Sequence, residues 1–164
     1  MAVILVGGGA RSGKSRYALQ LARQRGSRLA FIATATRSDA DMSARIDRHR
    51  SDRSPEFETI EEPVAIARVI RDAAFDVLVI DCLTLWLANI FKLDIAAETA
   101  SLIETARAST ATVIFVTNEL GSGIHPETEI GRKFRDQAGI LNQAIAGAAD
   151  EVYYMIFGQP LRVK

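Results

Sequence analysis

The chemistry in this 164-residue sequence concentrates in one octet, Gly8-Gly9-Ala10-Arg11-Ser12-Gly13-Lys14-Ser15, which fits the pattern G-x-x-x-x-G-K-[ST]. Glycines at these positions let successive backbone N–H groups turn inward around phosphate oxygens, and a following helix presents its positive end to the same anion. Lys14 is then placed to reach the β and γ phosphates of a nucleotide, and the Ser15 hydroxyl to ligate Mg²⁺. A glycine-rich turn with an incidental lysine is the competing explanation. The flanks disfavour it, since an apolar strand precedes the octet and an amphipathic helix follows.

A phosphate-bound metal needs a second acidic ligand, and Val77-Leu78-Val79-Ile80-Asp81 offers an apolar strand ending in a carboxylate. Asp81 is therefore the candidate metal ligand; its ordinary alternative is to cap the helix that begins at Cys82. A second strand ends in Thr117-Asn118-Glu119, whose side chains emerge at the same sheet edge, either to contact substrate or to cap a turn. Residues 37–53 carry a different kind of group. Read as a helix capped by Ser38 or Asp39, they put Met42, Ile46, His49 and Arg53 on one stripe, with Arg45 at its edge. Positive neighbours favour neutral imidazole, the form that attacks phosphorus or accepts a proton, and the arginines can collect phosphate oxygens. On the residues alone, a solvated or packing histidine is the commoner outcome. His125, in Gly121-Ser122-Gly123-Ile124-His125-Pro126, carries no comparable setting. Glu61-Glu62-Pro63 reads as a helix start with acidic dipole partners, Arg132 and Arg135 share a helix face suited to phosphate or a subunit contact, and Trp86 reads as core.

The elements that must hold these groups follow the alternation of an α/β protein. Val3 to Val6, Leu29 to Ala33, Val77 to Ile80 and Val113 to Val116 are continuous apolar runs, as buried parallel strands require. Helices are expected over Ser15 to Arg25, Pro63 to Ala74 (with proline in the first turn), Leu83 to Phe91, Ala96 to Ala108 and Gly131 to Ala148. Val152 to Phe157, Gly158-Gln159-Pro160 and Leu161 to Lys164 read as an antiparallel edge hairpin. One domain over residues 1–164 is expected, with no linker or repeat.

Twenty basic and twenty acidic side chains cancel, which argues against a protein held on nucleic acid by bulk charge. The cancellation is uneven: residues 1–53 hold eleven basic and four acidic groups, residues 54–131 four and thirteen. A single cysteine, Cys82, excludes an internal disulfide, and two histidines leave little for a multi-histidine metal centre. The start Met1-Ala2-Val3 lacks the basic region of a signal peptide, and no apolar run approaches the roughly 20 residues of a membrane span, so a cytoplasmic location is expected.

Together the octet 8–15, Ile32-Ala33-Thr34-Ala35, Arg45-Ile46 through His49-Arg50 to Arg53, Glu61-Glu62-Pro63, Asp81-Cys82-Leu83-Thr84, Thr117-Asn118-Glu119 and Phe134-Arg135-Asp136 with Gly139 and Leu141-Asn142-Gln143 resemble one family over nearly the whole chain. It is the bifunctional adenosylcobinamide kinase/adenosylcobinamide-phosphate guanylyltransferases of cobalamin biosynthesis. The resemblance implies a RecA-like P-loop domain, a mostly parallel sheet flanked by helices, assembled as a homotrimer. It implies two reactions: phosphorylation of adenosylcobinamide by a nucleoside triphosphate, ATP or GTP, then transfer of GMP from GTP to that phosphate through a GMP–histidine intermediate. By the same resemblance His49 is the histidine. Nucleotide contacts fall on Gly8, Gly9, Ala10, Arg11, Ser12, Gly13, Lys14, Ser15, Thr34, Ala35, Thr36, Arg50, Ser51, Asp52, Arg53, Glu61 and Asp81.

Overall fold

Runs of consecutive apolar residues have no polar face to offer water, so they must lie where a sheet is covered on both sides. The computed structural model, which describes residues 1–36 and 55–164, puts them there. Strands β1 (Val3–Gly8), β2 (Leu29–Ala33), β4 (Val77–Asp81) and β5 (Thr112–Val116) form the interior of a seven-stranded sheet ordered β3-β2-β4-β5-β1-β6-β7. The pairings from β3 (Phe57–Glu61) to β6 (Glu151–Ile156) are parallel, and β7 (Gln159–Arg162) closes antiparallel on β6. Every residue of β1, β2 and β5, and all of β4 but Asp81, is buried.

Alternate residues feed two cores. Ile4, Val6, Phe31, Val79 and Ile114 pack on one face against Ala18, Leu21 and Ala22 of helix α1 (Lys14–Arg25). Leu5, Ile32, Leu78, Ile80 and Phe115 pack on the other against residues of α2 (Ile66–Asp72), α3 (Leu83–Asn89), α4 (Ile95–Ala108) and α5 (Glu129–Ala148). Trp86 is core, 1% exposed, with its indole N–H donated to the Val64 carbonyl. No helix among the described residues is long and apolar enough to cross a membrane.

Three elements depart from expectation. The terminal hairpin turns at Phe157-Gly158, with Gln159 and Pro160 already paired to Ile156 and Met155 in β7, not at Gly158-Gln159-Pro160. Phe57–Glu61 is a strand, although its charged residues mask it in sequence; as the sheet edge it buries only Phe57. The helix expected from Pro63 begins instead at Ile66, because the Glu62 carboxylate takes the Val64 and Ala65 amides and turns the chain before the helix starts. Those bonds, outweighing partial burial, also hold the Glu62 carboxyl below its ordinary range. The helix expected across residues 38–53, with His49, lies outside the described residues.

Candidate functional site

Parallel strands bring their carboxyl ends to one edge, and the register aligns the candidate residues there. Glu61, Ala33, Asp81, Val116 and Val6 are successive Cα partners across β3, β2, β4, β5 and β1. The phosphate loop leaves this row at Gly7 and Gly8. Strand β5 thus separates Asp81 from the loop-bearing strand, a span of about 10 Å at about 4.8 Å per strand, and Glu61 lies about 19 Å away on the same edge.

The loop has the backbone its sequence suggests. Gly8, Arg11 and Gly13 have φ of 144°, 54° and 91°. A side chain at Gly8 would meet the Met155 carbonyl and the Ser12 Oγ, each at 2.9 Å, so glycine is required there for space as well as conformation. Gly13 stands at the α1 N-cap with no side chain to satisfy the first-turn amides, which leaves those donors to an anion. Lys14 is buried, and its ammonium donates to the Gly9 carbonyl and lies 3.4 Å from Ser12 Oγ, at the centre of the loop's own oxygens. Ser15 is half-buried one residue on; Gly9 and Ser12 are half-buried, and Ala10 and Arg11 exposed.

Asp81 ends β4 half-buried, and the following peptide is cis. The N-cap of α3 is Cys82, which makes no side-chain cap bond, so Asp81 is not spent as a helix cap. Asp81 and Ser15 supply hard oxygen donors of the kind Mg²⁺ takes, few in number as suits an ion that keeps waters and phosphate oxygens in its shell. Among the described residues no cluster of three or more His, Cys, Asp or Glu side chains exists to compete.

Thr34 is fully buried, and its hydroxyl both donates to the Cys82 carbonyl and accepts from the Cys82 amide, each at 2.8 Å. It clasps the exit of β4 to the exit of β2 and so fixes where Asp81 emerges. Ala35 is half-buried and Thr36 exposed beyond it, while Glu61 is exposed at the β3 end. Arg50, Ser51, Asp52 and Arg53 lie, with His49, outside the described residues. Asn89, which carries no motif, donates to the Thr34 carbonyl at 2.8 Å and the Pro63 carbonyl at 2.9 Å and ties β2 to the segment after β3.

Thr117-Asn118-Glu119 is a brace. Thr84 Oγ accepts from the Asn118 amide at 3.0 Å; Asn142 of α5 donates to the Asn118 carbonyl and accepts from the Thr117 hydroxyl. The Glu119 amide donates to the Gly8 carbonyl, which attaches this brace to the phosphate loop. Burial disfavours the charged Glu119 carboxylate, yet bonds from Ser122 and the Gly121 amide outweigh it and hold its pKa below the usual value. Arg132 donates to the carbonyls of Pro126 and Glu127, and Arg135 to His125 Nδ1 at 2.9 Å, so this helix face grips the preceding loop.

Cys82 is buried beside Asp81, and desolvation first, the carboxylate second, push its thiol up to about 11. It stays protonated until that pH, and the thiolate is the reactive form. The folded protein should therefore resist a thiol-specific disulfide reagent at pH 8 and react fully once denatured; rapid labelling of the native chain would refute this placement.

The sequence matches the family described as cobinamide kinase / cobinamide phosphate guanyltransferase over residues 4–163. It is 40% identical to the bifunctional adenosylcobalamin biosynthesis protein CobP of Pseudomonas aeruginosa, covering 98% of this chain and 96% of that one. It is 36% identical to the bifunctional adenosylcobalamin biosynthesis protein CobU of Escherichia coli, covering 99% of both. Among solved structures it is similar to the RadB recombinase, with a TM-score of 0.54 at 19% identity over 93% of this chain and 73% of that one, a likeness of fold of the RecA-like P-loop kind.

Proposed function

The chain belongs to the cobinamide kinase / cobinamide phosphate guanyltransferase family, and from that membership and the geometry of the sheet edge we propose how one phosphate loop serves both reactions. The chain is a kinase and a guanylyltransferase.

In the kinase step the loop amides and Lys14 receive the triphosphate of ATP or GTP, Lys14 exchanging the Gly9 carbonyl and Ser12 hydroxyl for β and γ oxygens. Ser15 and Asp81 would hold Mg²⁺, which supplies positive charge against those oxygens. The hydroxyl of the aminopropanol arm of adenosylcobinamide attacks the γ-phosphorus, and the nucleoside diphosphate leaves. In the transfer step a ring nitrogen of His49 attacks the α-phosphorus of GTP; a P–N bond forms, the α–β bridging P–O bond breaks, and pyrophosphate departs. A phosphate oxygen of adenosylcobinamide phosphate then attacks the same phosphorus. The P–N bond breaks, His49 is regenerated, and adenosylcobinamide-GDP is formed. The segment Thr34, Ala35, Thr36 would line the GTP beyond β2, and Arg50, Ser51, Asp52 and Arg53 would add the nucleotide contacts that the family resemblance gives them. Glu61, four strands from the loop, is too far to serve phosphates and suits the guanosine end.

The observation that carries this reading is the row of Cα partners that puts Glu61, Asp81 and the phosphate loop on one edge. Incubation with adenosylcobinamide and γ-labelled ATP should place label in a corrinoid phosphate, which GTP then extends with release of pyrophosphate. A labelled corrinoid phosphate that GTP never extends would reduce the protein to a single-function kinase.

Asp81→Asn should lower kinase kcat/KM by about 100-fold and raise the Mg²⁺ concentration required. Asparagine keeps the size of aspartate and removes its charge, so an unchanged Mg²⁺ titration would return Asp81 to a structural role. A homotrimer and a cytoplasmic setting complete the proposal. Leu161 in the edge strand β7 and Val163 just past its end stand 54% and 64% exposed, where a second copy would cover them, and light scattering in solution reads the assembly directly.

A further inference from the structure

Phe157 is 98% exposed and adopts φ of 51°, with Gly158 following at 80°, in the two-residue turn between β6 and β7. Such a turn favours Asn, Asp or Gly at its first position, and a bulky residue there is an outlier. The phenyl ring is neither buried by the fold nor suited to its backbone, and its position offers a use for it.

Strand β6 runs parallel to β1, with Met155 the Cα partner of Gly8, so the chain two residues later reaches the same ligand edge as the phosphate loop. The turn stands against the loop: Gly158 Cα lies 3.6 Å from where a Gly13 Cβ would be. The sheet order gives the direction. Asp81 lies on the β4 side of β1, and β6 and β7 lie on the other. A donor triphosphate lying with its terminal phosphate and metal toward Asp81 carries its nucleoside away from β4, toward the β6–β7 turn, the reverse of the direction taken by GTP in the transfer step. Two sides of one loop are then available to purines, the β2–β3 side with Glu61 and the β6–β7 side with Phe157.

We propose that Phe157 is a stacking platform for the purine base of the phosphoryl donor in the kinase step, a specificity element on the opposite side of the phosphate loop from the guanosine subsite of the transfer step. This rests on the reading that the loop binds the donor's triphosphate. An aromatic face accepts any purine, so the contact adds affinity for a nucleotide over a bare polyphosphate without choosing adenine from guanine.

The test compares binding of the non-hydrolysable ATP analogue AMP-PNP and of inorganic tripolyphosphate, each with Mg²⁺, by calorimetry. Phe157→Ala should weaken AMP-PNP by roughly tenfold, within the range for loss of one base–aromatic stack, and leave tripolyphosphate unchanged; Phe157→Trp should restore the nucleotide. Phe157→Asn, which suits the turn, should match the alanine variant in affinity while melting no lower than wild type, separating stacking from folding. Equal loss of both ligands, unchanged AMP-PNP affinity, or an altered oligomeric state as the sole effect would each overturn the proposal. Lys14→Ala tests the premise alone: if it leaves tripolyphosphate binding intact, the phosphate-loop reading fails, whatever Phe157 does.

Discussion

Lys14→Ala should abolish both activities together, lowering kinase kcat/KM by at least about 1,000-fold and GMP transfer by a similar factor. The ammonium is buried at the centre of the loop against the Gly9 carbonyl and Ser12 hydroxyl, whereas the neighbouring cations, Arg11 and Arg16, are exposed and do not occupy that place. A preorganised charge of this kind contributes most of its effect in the transition state, where charge on the transferred phosphoryl group shifts to the bridging oxygen. Lys14→Arg should not rescue, because the planar guanidinium is larger than the space between the Gly9 carbonyl and Ser12 and spreads its charge over three nitrogens. Kinetics with adenosylcobinamide and ATP, and with adenosylcobinamide phosphate and GTP, provide the readout, with circular dichroism to show that the sheet persists. Loss of only one activity would mean that the two reactions do not share this loop.

His49→Asn should divide what Lys14→Ala removes together. Asparagine keeps hydrogen-bonding capacity but has no nucleophilic ring nitrogen, so GMP transfer should fall by about 10⁴-fold or more, the scale of losing a covalent catalyst. Phosphorylation of adenosylcobinamide should stay within a few-fold of wild type, since the phosphate loop, Ser15 and Asp81 are untouched. A parallel loss of both reactions would instead make His49 a phosphate-binding residue of a single-function kinase.

The central strands were legible because of their burial. Val3 to Val6, Leu29 to Ala33, Val77 to Ile80 and Val113 to Val116 have no polar face, and only interior strands of a doubly covered sheet tolerate that. Phe57–Glu61 escaped because its only two apolar residues, Phe57 and Ile60, fall on opposite faces, so neither an apolar run nor an alternation marks it. The octet 8–15 announces its loop because anion binding by backbone amides demands particular glycines, seen at Gly8 and Gly13. Thr34 shows the limit of motif reading. Resemblance marks it as a nucleotide contact, while its hydroxyl is occupied by the Cys82 backbone 48 residues away. Asn89 and Asn142 were equally opaque as supports, since each acts on carbonyls 24 to 55 residues distant. The zero net charge was uninformative in sum and informative in distribution: the basic surplus of residues 1–53 includes Lys14 of the phosphate loop and the arginines around His49.

The proposed passage of GMP through a covalent bond to His49 leaves a chemical trace on the protein. Incubation with α-labelled GTP and Mg²⁺, followed by denaturation and digestion, tests it without requiring the corrinoid. Label should appear on the peptide containing His49, stable in alkali and released by acid as a phosphoramidate is, and should be absent from His49→Asn. An active wild-type enzyme that carries no covalent label, or a label that persists in His49→Asn, would contradict it.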